Sequence, residues 1–362
     1  MPDFIPGLEL NRRFFEEAVR PILSNEFPDL VYSAGLLGPG SEVLGFDTEM
    51  SMDHDWGVRV FIFIREEDSA KGEVIVQLLS NKLPDTFLGF PVSHPDAHPF
   101  WLRGMQRELE GPIKHHVVVL PVREFLRVQI GHDKLAPLKP TEWLATPSHA
   151  LLEMVAGRVY HDGTGELTRI RQQLEWYPHD LWLYLLAAGW QRISQEEHLM
   201  PRAGFVGDEL GSALLGSRLV RDIMHLCFLM ERKYAPYPKW FGTAFRKLSC
   251  GPELAPILLR AQHAATWQAR EQELSQAYEI LAKMHNALDI TSPLSTAVSS
   301  FWDRPFQVIK GERFVAALKD KIEDPEVKRL MDRWLIGSVS QWTDNTDLNK
   351  QSHREILERL YV

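Results

Sequence analysis

The sequence predicts a mixed α/β domain followed by an all-α helical-bundle domain. Three observations carry this. Short apolar runs at residues 31–37, 53–64 and 117–120 have strand length and composition, and the first two flank a turn holding two glycines. Beyond Pro137, Pro140 and Pro147 the apolar residues recur at helical spacing almost to the end. At 362 residues the chain is long enough for two cores. The expected division is an α/β domain over 1–135, a helical domain over 136–310 and a helical C-terminal extension over 311–362.

In chain order, residues 8–25 carry a helical pattern in which Leu10, Phe14, Val19 and Ile22 fall near one stripe, with Asn11 as a candidate N-cap. A short strand over 31–37 leads into the turn Gly38-Pro39-Gly40-Ser41. The run 53–64 reads as a second strand, followed by a helix over roughly 70–82. Residues 84–112, rich in Pro, His, Gly and aromatics, show no period and read as loop. A strand at 117–120 and a short helix at 122–130 complete the domain. Pro178 and Asp180 then open a helix over about 179–198. A second long helix covers 210–233, with Leu214, Leu215, Leu219, Ile223, Leu226 and Met230 expected inward. The prolines in 234–238 end it. Further helices fit 239–248, 252–263, 266–288, 311–319, 324–336 and 350–360, and His285-Asn286 is expected as a C-terminal cap.

Composition narrows the class. The net charge of −9 argues against a generally basic surface, though not against a local basic groove. Cys227 and Cys250 lack the spacing of a zinc site or a disulfide framework and read as reduced core residues of a cytoplasmic protein. The first residues have neither the basic end nor the apolar run of a signal peptide. The longest apolar run, 181–190, is too short for a membrane span.

The chemistry concentrates in the first domain. Gly40 and Ser41 form a turn that lets the backbone approach an anion and adds a hydroxyl donor. After an eleven-residue spacer come Asp53-His54-Asp55. On a strand, Asp53 and Asp55 would share a face about 6–7 Å apart, and paired carboxylates suit Mg²⁺ when substrate phosphates supply further ligands. Arg59 has the same parity, and an ion pair with those aspartates is the plainer reading of that face. A two-metal site often adds a third carboxylate on a neighbouring strand. The strand at 117–120, preceded by His115 and His116, offers none, and imidazole suits Mg²⁺ poorly. Glu196 and Glu209 are therefore candidate general bases, set against a helix-terminal role. Arg218 with Arg221 is a candidate phosphate clamp or a solvated ionic face. Lys239, among aromatics, is a candidate phosphate contact or a snorkelling surface residue.

Gly-Ser, a spacer and Asp-x-Asp resemble the nucleotidyltransferase superfamily. Residues 40–47, 51–57, 161–163, 176–182, 207–212 and 234–245 are similar to those of a little-characterised group joining a nucleotidyltransferase-like mixed-sheet domain to a dedicated helical domain. The resemblance implies a transferase binding a nucleotide between the two domains. In it Asp53 and Asp55 hold Mg²⁺ on a nucleoside triphosphate, Gly40 and Ser41 hold its phosphates, and a nucleotidyl group passes to a small-molecule or RNA acceptor. Fungal synthases that make arginine-containing cyclodipeptides look like diverged members of the same fold. Their likeness implies a second activity, with the 3′ end of an aminoacyl-tRNA in the cleft. A non-catalytic nucleotide-binding module is the third reading.

Overall fold

The computed structural model describes residues 2–52, 56–93, 111–133, 135–348 and 350–362. The chain divides into two compact units, one made of Met1–Leu138 with Ala150–Glu175, the other of Lys139–His149 with Trp176–Val362.

The first unit is built on a mixed four-stranded sheet. Strand β1 (Tyr32–Leu36) runs antiparallel to β2 (Arg59–Ile64). The two-residue strands β3 (Thr86–Phe87) and β4 (Phe90–Pro91) form a hairpin inside the expected 84–112 loop, whose residues 94–110 lie outside the described ones. Strand β5 (His116–Pro121) pairs parallel to β2, and β6 (Arg158–Asp162) pairs antiparallel to β1, giving the order β5-β2-β1-β6. Every residue of β2 is buried, so its pattern is a continuous apolar run rather than an alternation. Its even-numbered side chains, Val60, Ile62 and Ile64, join the core formed with α1 (Gly7–Phe14), a π-helical turn (Phe15–Val19), α2 (Arg20–Glu26) and α3 (Lys71–Lys82). The odd-numbered Phe61 and Phe63 meet Phe125 of α4 (Val122–Ile130) edge-on at 5.0 and 5.2 Å.

Two expectations change here. The β2 ladder starts at Arg59, and Asp53 and Asp55 lie outside the described residues. Asn11 is a buried residue within α1, not its cap. Its amide donates to the carbonyls of Gly7 and Gly57 while its side-chain oxygen accepts the Arg59 N–H, so it pins the start of β2.

After α4 the chain contributes α5 (Pro140–Ala145) to the second unit, then returns through α6 (Ser148–Val155), β6 and α7 (Glu166–Gln173). Strand β6 was not legible as a strand because it is an edge, partly exposed and rich in charge. Asp162 at its end accepts from Ser33 Oγ at 2.5 Å and from the Gly165 and Thr168 amides at 3.0 Å each, organising the turn into α7. Just before β6, Gly157 has φ +71°, and a Cβ there would lie 2.1 Å from the Leu36 carbonyl oxygen. Gly157→Ala therefore incurs both a left-handed backbone penalty and a backbone clash. We expect it to lower unfolding free energy by about 2 kcal/mol or more, read from urea denaturation. A loss below about 0.5 kcal/mol would show that β6 can shift freely.

The second unit is helical. Its centre comprises α8 (His179–Glu196), α10 (Glu209–Met230) and α13 (Trp267–Ala287), with α9 (Leu199–Phe205), α11 (Pro238–Phe245) and α12 (Gly251–His263) around them. Leu214, expected inward, is exposed. The inner face of α10 near it is taken by Ser212 and Gly216, which admit the buried Arg270 side chain; a Cβ on Gly216 would meet Arg270 Cδ at 2.4 Å. His285 is not a cap but a buried side chain, its Nδ1 accepting from Trp190 Nε1 and its Nε2 bonded to Thr291 Oγ1. The segment expected as an extension is integral to this unit. Phe314 of α14 (Glu312–Lys319) stacks on Trp190 at 3.9 Å. The Asp180 carboxylate accepts the amides leading into α15 (Pro325–Arg333), and α16 (Val339–Trp342) and α17 (Arg354–Glu358) follow. No helix among the described residues is long and apolar enough to cross a membrane.

Candidate functional site

In the first unit the candidate site is the turn that follows β1. Gly38, at φ +83°, donates its N–H to the Glu153 carbonyl at 2.9 Å. Val43 accepts the Gly157 N–H at 3.0 Å, so both ends of the turn are fastened to the α6–β6 segment. Residues 40–46 close one tight helical turn, with Leu44 N–H donating to Gly40 and Phe46 N–H to Ser41. Gly40, at φ +148°, has no room for a side chain. A Cβ there would lie 2.4 Å from Arg59 Nη2 and 2.7 Å from Glu42 Oε2.

Beneath that glycine lies a buried ion pair. Arg59 donates to Glu42 Oε1 at 2.5 Å and to the Pro39 carbonyl at 2.6 Å, and both side chains are about fully enclosed (1% and 2% exposed). Arg59 thus faces Glu42 and the turn's backbone, and the turn is held from below by charge-assisted hydrogen bonds. A second carboxyl, Glu153 on α6, is buried nearby. Burial pushes its pKa up to about 8, against the pull of the Arg59 charge.

That raised value has a consequence for stability. The ordinary value is 4.5 and the folded value about 8, so between them the native state keeps a proton that the unfolded chain has lost. The contribution is full below the unfolded value and is lost as pH rises through the folded one, with a slope of up to about 1.4 kcal/mol per pH unit. Glu153→Gln should flatten that part of the unfolding free energy between those values, measured by urea titrations at several pH values. A wild-type and variant pair with the same slope would contradict it.

Residues bordering 53–55 are anchored. Asp47 accepts the Gly7 N–H at 2.7 Å and Trp56 Nε1 at 3.2 Å, and the Trp56 ring lies against Phe4 and Phe90. At the same end of the sheet, His116 is in register with Arg59. His115 is a satisfied core residue, bonded to the Val76 carbonyl and the Val117 N–H, with burial pushing its pKa down to about 4. Strand β5 carries no carboxylate. Among the described residues no three His, Cys, Asp or Glu side chains gather as a metal site. The candidate donors Asp53 and Asp55 lie outside those residues.

The sequence candidates in the second unit fall into separate clusters. Glu196, at the end of α8, pairs with Arg218 of α10; burial pushes its pKa up, partly offset by the Arg218 charge. Asp222 pairs with Arg192 at 3.1 Å and lies 3.6 Å from Arg221. Glu209 accepts the Trp267 N–H at 3.1 Å and pairs with Arg270 at 3.4 Å, one residue after Asp208, which caps α10 through the Gly211 N–H. Glu209 and Arg218 are nine positions apart on α10, about 13 Å along its axis. Lys239 is exposed and sits 5.1 Å from the Trp240 ring centre. Each of these side chains thus has a structural partner on its own unit. Near the end of α10, Trp176, Tyr177, His225, Phe228, Tyr234 and Ser340 line an aromatic-walled pocket.

Sequence reasoning missed the Glu42/Arg59 pair as the base of the turn, and it missed Glu153. A signal existed for Glu153, a lone carboxylate at apolar spacing in Ala150-Leu151-Leu152-Glu153-Met154-Val155.

Residues 143–241, from α5 to α11, match the model of a family described as Domain of unknown function (DUF4037). No curated protein matches the chain.

Proposed function

We propose that the first unit binds the phosphates of a nucleotide at Gly40 and Ser41 and that the protein is a nucleotidyltransferase-like transferase. The observation that carries this reading is the glycine turn itself. Gly40 brings backbone directly onto a buried ion pair, and the Arg59 bond to the Pro39 carbonyl fixes that backbone from below, a preorganised support for phosphate contacts by Gly40 and Ser41. Ser41 at its end supplies a hydroxyl. The mixed sheet, with the turn after β1 and Asp-x-Asp leading into β2, supports it further. So does the family match, since that family is associated with nucleotidyltransferase-like proteins.

On this reading Asp53 and Asp55 would hold Mg²⁺, a hard cation suited to carboxylate and phosphate oxygens. Bound there, it would offset negative charge on the phosphates. The chain's own part is positioning: the turn holds the terminal phosphates while an acceptor oxygen attacks the α-phosphorus and pyrophosphate leaves. The acceptor is a small molecule or an RNA end.

A second reading rests on one observation, the lack of any carboxylate on β5. In it the turn receives the 3′-terminal adenosine of an aminoacyl-tRNA, and the product is an arginine-containing cyclodipeptide. Mass spectrometry after incubation with nucleotides, amino acids and a charged-tRNA pool separates the two. Pyrophosphate with a nucleotidylated product supports the first, and a cyclodipeptide the second. Binding without any product leaves a nucleotide-binding module.

A further inference from the structure

The aromatic-walled pocket near the end of α10 is built entirely from residues of the second unit. One set of its rings, Trp176, Tyr177 and Tyr234, packs mutually with centres between 4.8 and 5.2 Å apart. A second set, His225 and Phe228 of α10, rests on Phe241 of α11 at 4.6 and 5.4 Å. Hydrogen bonds fasten the frame. The Ser148 N–H donates to Ser340 Oγ and the Ser148 hydroxyl to the Ala235 carbonyl, both at 2.9 Å, while Arg221 donates to the Ser340 carbonyl at 3.3 Å. Rings already packed from behind cannot collapse into the gap, and their faces and edges suit another flat ring. The free volume is about 310 Å³ with the open mouth included. That is the small end of ligand pockets, about 300–1,000 Å³, and admits one ring system.

The polar groups of the wall favour an anion. Lys233, exposed, lines the pocket, and among the described residues no Asp or Glu does. The Trp176 indole N–H is buried and has no acceptor among the described residues, so the wall holds a donor in want of a partner. Burial, with the charges of Arg221 and Arg192, pushes the His225 pKa down to about 3, which leaves its imidazole a neutral flat ring. A quaternary or primary ammonium ligand would meet Lys233 and find no carboxylate, so these rings do not form a cage for cations. We propose that the pocket binds a small planar aromatic carboxylate, its ring against the aromatic walls and its carboxylate toward Lys233 and the Trp176 N–H. This site is additional to the phosphate turn of the first unit and does not rest on the nucleotide reading.

The test titrates the full chain with three probes that share one ring and differ in charge: indole-3-acetate, 3-methylindole and tryptamine. Saturation-transfer NMR detects binding and isothermal titration measures it. Wild type should bind indole-3-acetate about tenfold or more tightly than 3-methylindole, and tryptamine most weakly. Lys233→Met, a change at an exposed position, should bring indole-3-acetate to within about threefold of 3-methylindole. Trp176→Phe keeps a ring but removes the N–H, and should weaken indole-3-acetate more than 3-methylindole. Should that variant fail to fold, the Lys233→Met comparison decides. Asp53→Asn/Asp55→Asn should bind all three probes as wild type does, which separates this site from the nucleotide one. The proposal is overturned if no probe binds, if tryptamine or 3-methylindole binds as tightly as indole-3-acetate, or if Lys233→Met leaves the preference intact. Loss of indole-3-acetate binding in the aspartate variant would overturn it as well.

Discussion

Arg59→Met should destabilise the first unit by about 3–5 kcal/mol, because it leaves the Glu42 carboxylate buried without its counter-charge. The pair is almost wholly removed from water, so solvent cannot take over the role of the lost guanidinium. The Pro39 carbonyl loses its donor as well, and with it the turn loses the support beneath Gly40. Glu42→Gln combined with Arg59→Met should recover most of the loss, since removing both charges removes the desolvation penalty. The double variant should still lose the fixed turn, and so bind phosphate more weakly than its stability would indicate. Urea unfolding, with hydrogen exchange read on β1 and β2 peptides, measures both effects. A single variant that loses less than about 1 kcal/mol would mean the pair behaves as an exposed one.

Removing residues 312–362 should leave the second unit unable to fold cooperatively. The segment buries Phe314, Leu318, Ile322, Val327, Leu330 and Met331, and it covers Trp190 at the centre of α8. Each such side chain contributes about 1.5–3 kcal/mol by burial, and together they rival the 5–15 kcal/mol of a whole domain. Glu197 would also lose the Ile309, Lys310 and Gly311 amides that it accepts, because the strand-like segment before α14 is no longer held in place. Phe314→Ala is the milder version and should cost about 3–5 kcal/mol. A truncated chain with a sharp melt near the wild-type temperature would show that the segment is an appendage after all.

Much of the architecture could be read from local pattern. The expected helices over 122–130, 252–263 and 266–288 match α4, α12 and α13 almost to the residue, because apolar spacing and proline signals are local. Strand β6 could not be read so, since Arg158-Val159-Tyr160-His161-Asp162 looks polar and earns its place only by pairing with β1. The run 53–64 looked like one strand, yet the ladder begins at Arg59, where Asn11 from a distant helix fixes the backbone. Gly38 and Gly40 announced the turn. The charge pair underneath it joins residues 17 apart, and nothing local marks Glu42 as its acid.

On the proposed reading, the turn over Glu42/Arg59, together with Asp53 and Asp55, takes up a metal-bound triphosphate. Isothermal titration of ATP and GTP, with and without Mg²⁺, tests it on wild type and on Asp53→Asn/Asp55→Asn. Wild-type binding should strengthen with Mg²⁺ and weaken by about tenfold or more in the variant, at unchanged melting temperature. Equal affinity in the two proteins, or binding indifferent to Mg²⁺, would contradict it.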